Sequence, residues 1–303
     1  MSYPSTVESV QLVLLSISLP LYLCFLLTLI RFRHQSPFDS HFFKLCLNLG
    51  VVDVLALADS YILWKFPSFK WFGLEVLAES PLAAKVAVMA SWQLGLTQYF
   101  GIASLALNRF TGLVMPLRHD LIWTTEFLAI VIIIQWGIPA LIVGPQLTLP
   151  YEYLVNNVTG EIGKPRWIDQ DMQRVYFTGL LFLLSFLTIF TLSLYAVIFC
   201  KSKKIQDRAN RVDIKFAVYG FLIAVVMFLY TVYVLLRAVM PKGDVELWKI
   251  LILMYGVCND VFSWCNPWLS LLLLKTVRTH MMYFVACRQV DDNLVVPIEL
   301  SDL

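Results

Sequence analysis

Arg109 is the residue of this chain whose type and position say most about chemistry. It follows an apolar stretch that ends at Leu107, stands in the run Asn108-Arg109-Phe110, and is followed shortly by Pro116-Leu117. A guanidinium is always charged and carries five N–H donors in a rigid fork. Where an apolar helix meets water, such a group can hold a helix bundle closed or receive the tail of a partner protein. Further polar residues interrupt apolar stretches. Asp53 sits in Leu47-Asn48-Leu49-Gly50-Val51-Val52-Asp53, Gln98 in the stretch that leads to Arg109, and Asp260, Asn266 and Pro267 in the last stretch. A charge at mid-membrane costs roughly 2.5–3.5 kcal/mol on insertion scales, so each needs a partner or a task.

The elements that hold these residues follow from composition. The chain has 303 residues, of which 59% are hydrophobic and 15% charged, with a mean hydropathy of +0.74. Soluble domains average about 45–50% apolar and roughly 25% charged, so the composition is that of a membrane protein. A hydrocarbon core about 30 Å thick needs roughly 20 apolar residues in a helix. Seven stretches meet that length: 10–30, 42–64, 82–107, 127–149, 175–200, 216–240 and 248–274. The expected fold is an all-α membrane protein, a seven-transmembrane helix bundle over residues 1–289, with a short acidic tail at 290–303. Internal repeats of the kind many transporters carry are absent from the sequence.

Basic residues orient the bundle. With the N-terminus outside, thirteen Lys and Arg fall on the cytosolic side and six, including Lys65, on the other. The first stretch has no basic residue before it and reads as a retained signal anchor. None of the six cysteines falls in an expected extracellular loop, no pair has metal-ligand spacing, and the four histidines lie at the cytosolic face. No metal site, no extracellular disulfide and no nucleic-acid partner is expected.

Counted from Arg109, Asp53, Gln98 and Asn266 share one depth and can form a polar relay, holding waters, a sodium ion or a plain hydrogen-bonded packing network. Pro267 removes a backbone donor and makes a hinge beside Asn266. Asp260 lies further outward, at a depth comparable to Ser91 and Trp92, and these three are the ligand-site candidates. Lys85 and Arg237 can snorkel to the interface and take no role. Asn157-Val158-Thr159 is a glycosylation sequon in the loop after the fourth helix. Lys201, Lys204 and Arg208 belong to a basic loop suited to anionic lipid or to docking a partner helix. Residues 275–289 can lie along the membrane as an amphipathic helix, with Cys287 a palmitoylation candidate.

Asn108-Arg109-Phe110 with Pro116-Leu117 resembles the Asp-Arg-Tyr junction and Pro-Leu of rhodopsin-like receptors, at the same spacing. Asp53 behind Asn48-Leu49, Trp136 and Asn266-Pro267 resemble three further landmarks of that superfamily, in order on three other helices. The sequence departs from it too. Asn108 replaces the acidic residue, Ser270 stands where a tyrosine is usual, the sixth helix has no internal proline, and the disulfide from helix three is missing. The usual helix-six toggle therefore does not carry over. Leu107 to Thr111, Pro116, His119 and Ile122-Trp123 are most similar to nematode serpentine chemoreceptors of the class g superfamily, closest to class v. The resemblance implies a G-protein-coupled chemosensory receptor, not an enzyme. It would sit in the plasma membrane of sensory neurons, including their cilia, and pass a small-molecule or peptide signal to a heterotrimeric G protein. Arg109, Asn108, Pro116 and the basic loop would be its coupling surface. The competing reading is a small-solute or ion transporter with Asp53 and Asp260 on its charged path.

Overall fold

A computed structural model describes residues 5–155, 161–202, 210–239 and 245–286. Among the described residues, ten α-helices follow in chain order: α1 Thr6–Arg31, α2 His41–Ala58, α3 Phe66–Phe69, α4 Pro81–Val114, α5 Pro116–Ile122, α6 Thr125–Val143, α7 Gln170–Ser202, α8 Asn210–Val239, α9 Val245–Leu273 and α10 Lys275–Val285. Among the described residues five spans are long and apolar enough to cross a membrane: Thr6–Arg31, His41–Phe69, Thr125–Thr148, Asp171–Lys201 and Ile214–Leu236. The long helices α4 and α9 complete the bundle, and they carry the polar residues that its interior uses.

Local chemistry sets the helix starts. Ser5 and Glu8 form a reciprocal capping box at α1. Ser80 caps α4 ahead of Pro81, and Thr124 caps α6. α4 is the central helix, packed against α2, α6, α7 and α8, while α1 packs against α2, α9 and α10. A continuous core runs from Tyr22, Phe25 and Leu29 through Phe42 and Leu49 to Tyr99, Tyr219 and Phe262. α10 buries Val277 and Met281, and its His280 ring stands edge-on to Phe32 and Phe38 at 5.0 and 4.9 Å.

Hydropathy alone misplaces three features. The third spanning helix does not end at Leu107. It continues to Val114, because no proline intervenes until Pro116, and Met115 then leaves the α region at φ −133° and ψ 52°. Asn108 and Arg109 therefore lie inside a helix. The second span does not end at Trp64 either. A π-helical turn over Asp59–Lys65 joins α2 to α3, and Lys65 is buried rather than part of an outer loop. Pro67 lacks the N–H that would reach the Leu63 carbonyl four residues earlier, and the Tyr153 hydroxyl donates to that carbonyl at 2.7 Å. Finally, the connection after α6 holds an antiparallel hairpin, β1 Tyr151–Val155 with β2 Ile162–Trp167. Tyr151 and Trp167 pack from it onto Ala84 and Val88 of α4.

Close helix contacts depend on glycine. A Cβ added at Gly220 of α8 would stand 2.0 Å from the Tyr195 hydroxyl of α7, and Tyr195 is 0% exposed. Gly220→Ala is expected to cost about 1–3 kcal/mol by overpacking, with partial recovery in Tyr195→Phe/Gly220→Ala, both read by thermal unfolding of purified protein. An unchanged midpoint in the single variant would show that the Tyr195 ring moves aside.

Candidate functional site

Five helices meet in a buried network at mid-bundle. The Asp53 carboxylate of α2 accepts from Gln98 Nε2 of α4 at 2.6 Å, from the Tyr22 hydroxyl of α1, and from Asn266 Nδ2 of α9 at 3.3 Å. Gln98 Nε2 also reaches Ser263 Oγ at 3.2 Å, Asn266 Nδ2 reaches the Tyr22 oxygen at 3.1 Å, and the Tyr219 hydroxyl of α8 donates to Asn266 Oδ1. Every group facing the carboxylate is a donor, and two of them are amide nitrogens that cannot ligate a cation. The residues around Asp53 thus do not fit a sodium ion as they stand; they fit a hydrogen-bonded network. Beside it, Asn48 accepts from the Trp136 indole at 3.2 Å and donates to Gln135 Oε1 at 2.7 Å, tying α2 to α6.

The hairpin end of the bundle holds a second polar group. Lys65 Nζ pairs with Asp260 Oδ2 at 2.6 Å, their side chains 4% and 1% exposed. The Tyr61 hydroxyl donates to the same oxygen at 2.8 Å, and the Lys65 ammonium lies 3.9 Å from the Tyr61 ring centroid. On the other side of the π-helical turn, Ser91 Oγ donates to Asp59 Oδ2. Burial, then the Asp59 carboxylate, pushes the Tyr153 phenol of the hairpin up to about 12, so it stays a donor to Leu63. Trp92 packs edge-on against Phe177 of α7 at 4.7 Å.

At the opposite end the Arg109 guanidinium lies over two aromatic rings, 3.6 Å from the Phe42 centroid and 4.6 Å from that of Phe216. These rings come from α2 and α8, so one cation gathers three helices. Asn108 beside it is buried, and its Nδ2 has no hydrogen-bond partner among the described residues. Thr111 is a hub: its hydroxyl donates to the Asn108 carbonyl at 2.9 Å, meets His119 Nδ1 at 3.0 Å and accepts from the Trp123 indole at 2.8 Å. Pro116 opens α5 within this knot.

The structure thus brings Asp53, Gln98 and Asn266 into contact, with Pro267 inside α9 next to them. Ser91, Trp92 and Asp260 do not share one contact; each engages a different partner, Asp59, Phe177 and Lys65. Lys201 is exposed at the end of α7. Lys204, Arg208, Asn157, Cys287 and the tail 290–303 lie outside the described residues. Sequence reasoning missed Tyr22, Tyr219 and Ser263 in the mid-bundle network, and Asp59, Tyr61 and Lys65 at the hairpin end. The one signal available was position: Asp59 stands within two turns of Asp53, and Lys65 about three turns from it, on the same span.

These elements define a seven-transmembrane helical bundle assembled around buried polar networks. Over residues 11–287 the sequence matches the family described as serpentine type 7TM GPCR chemoreceptor Srv. It is also 28% identical over 277 residues to serpentine receptor class V-1 of Caenorhabditis elegans, covering 90% of this chain and 88% of that protein. The chain belongs to the Srv family of serpentine seven-transmembrane chemoreceptors, a family of receptors rather than of enzymes.

Proposed function

We propose that this chemoreceptor takes its ligand at the hairpin end, facing outside, and passes the signal to a cytosolic heterotrimeric G protein at the Arg109 end. The observation that carries the reading is the Arg109 clamp. A cation on α4 held by rings of α2 and α8 stabilises the closed arrangement of three helices, and a partner's C-terminal helix would compete for the same guanidinium. The mid-bundle network of Asp53, Gln98 and Asn266 supports a relay role, since it joins five helices between the two ends. A ligand acts by favouring the open bundle over the closed one; equal affinity for both shifts nothing.

Around this core stand further parts of the same reading. Asn108 and Pro116 shape the coupling surface, Lys201, Lys204 and Arg208 flank it, Asn157 is glycosylated in the outer loop, and Cys287 carries a palmitoyl group next to α10. The receptor resides in the plasma membrane, including sensory cilia. The transporter reading needs Asp53 and Asp260 on one charged path; Asp53 is engaged by three donors and Asp260 by Lys65 and Tyr61.

The test is calcium or cAMP output from expressing cells challenged with pooled small-molecule and conditioned-medium extracts. Arg109→Glu should abolish the response at equal surface expression, because a carboxylate is repelled by both ring faces and cannot serve a partner's acceptor groups. Full signalling by the variant would remove Arg109 from the coupling surface.

A further inference from the structure

Asp59 is a buried acid with no ion pair to it among those seen in the described residues. It is 7% exposed, and its Oδ2 accepts from Ser91 while Oδ1 has no hydrogen-bond partner among the described residues. Lys65 pairs with Asp260 and Arg166 with Glu152, so neither of these cations serves Asp59. Protonation removes the charge, since a proton on Oδ2 can be donated to Ser91 Oγ, but it leaves Oδ1 a buried carbonyl oxygen still short of a donor. An unpaired carboxylate inside a membrane bundle is costly enough to require a role.

Space lies next to it. Gly95 is one helical turn from Ser91, one turn from Tyr99 and three residues from Gln98, all of which point into the bundle. Gly95 therefore faces the interior as well, yet a Cβ added there would meet nothing within 4 Å, and the residue is only half-buried. An inward glycine beside open space marks a hollow between the two polar groups. Aromatic rings border this region. Trp64, whose indole N–H donates to the Ala87 carbonyl at 3.3 Å and also turns toward the Asp59 carboxylate, contacts Tyr255 at 5.7 Å, and the series continues through Tyr233 and Tyr230 to Tyr99 at spacings of 6.0, 6.0 and 6.2 Å.

From this geometry we infer a binding site for a small aromatic amine, its ammonium on Asp59 and Ser91 and its ring in the hollow at Gly95. The inference rests on the reading of the hairpin end as the ligand entrance. An ammonium supplies both the missing charge and a donor for Oδ1, and aromatic walls favour cations and flat rings alike. A carboxylate ligand is disfavoured, because Lys65 is already paired and Asp59 would repel it.

Binding is read on the purified full chain in lipid nanodiscs by thermal shift, with no G protein, so loss of coupling and loss of this site are told apart. The probes are benzylamine, 2-phenylethylamine and 3-phenylpropylamine, each against the alcohol of equal length. At least one amine should raise the midpoint and its alcohol should not. Asp59→Asn should weaken amine binding roughly 30-fold or more, the scale of truncating one partner of a buried charge pair. Gly95→Leu, whose Cβ meets nothing within 4 Å and whose side chain enters the hollow, should abolish the amine shift in protein that still shows a cooperative ligand-free transition. Equal shifts from amines and alcohols, no shift from any amine, or an amine shift unchanged in Gly95→Leu would each overturn the inference.

Discussion

Lys65→Met is expected to destabilise the folded bundle by about 3–5 kcal/mol, the cost of leaving one partner of a buried ion pair behind. Methionine keeps the length and apolar volume of the lysine stem, so the change isolates the charge. It leaves Asp260 with the Tyr61 hydroxyl as its remaining donor, in a site where the pair was almost wholly excluded from solvent. Adding Asp260→Asn should restore most of the loss, since no buried charge then lacks a partner. Unfolding midpoints of the four proteins in one detergent form a double-mutant cycle, and a large coupling term is the signature of the pair. A loss below about 1 kcal/mol in the single variant would mean that Asp260 is neutral in the folded protein, and that Lys65 contributes by packing alone.

Asp53→Ala should be nearly as damaging, by about 3 kcal/mol, because it deprives donors on three helices of their common acceptor. One buried unsatisfied group costs about 1–3 kcal/mol. The three costs do not simply add. Gln98 retains Ser263 at 3.2 Å, and Asn266 retains the Tyr22 oxygen at 3.1 Å. Asp53→Asn keeps one carbonyl oxygen and should fall between wild type and the alanine variant. Stability should not depend on whether the salt is sodium or N-methylglucamine chloride. A sodium-specific rise in the wild-type midpoint, lost in Asp53→Asn, would replace the hydrogen-bonded network with a bound cation.

The bundle was legible in the sequence because hydrocarbon imposes so few solutions: an uninterrupted apolar run of sufficient length must be a helix. The Srv assignment was legible as well, since the Asn108-Arg109-Phe110 run with Pro116, His119 and Trp123 carries it, and Thr111, His119 and Trp123 form a hydrogen-bonded knot. Asp53, Gln98 and Asn266 could be grouped by depth because regular helices convert sequence distance into height. Tyr22 and Tyr219 could not be picked out, as a tyrosine in an apolar stretch is as ordinary at the interface as in the core. Lys65 was counted as a loop charge because hydropathy has no means of seeing that Asp260, 195 positions later, would face it. The hairpin escaped notice because Gly163 and Pro165 interrupt the alternation by which strands are recognised.

The wide turn at Asp59–Lys65 has a consequence for how this helix compares with its counterparts. A π-helical turn amounts to one residue inserted in an α-helix, and each residue of an α-helix advances the side chains by about 100°. Removing one residue between Asp59 and Tyr61 would rotate everything up to Phe69, swinging the ammonium of Lys65 away from α9 while Asp53 stayed in place. Receptors that lack the inserted residue would thus match this chain in phase on the Asp53 side and one position out of phase beyond it. In such a pairing the structural equivalent of Lys65 is the neighbour of the residue in the same column, and a one-residue gap, not a substitution, separates two arrangements of the hairpin end.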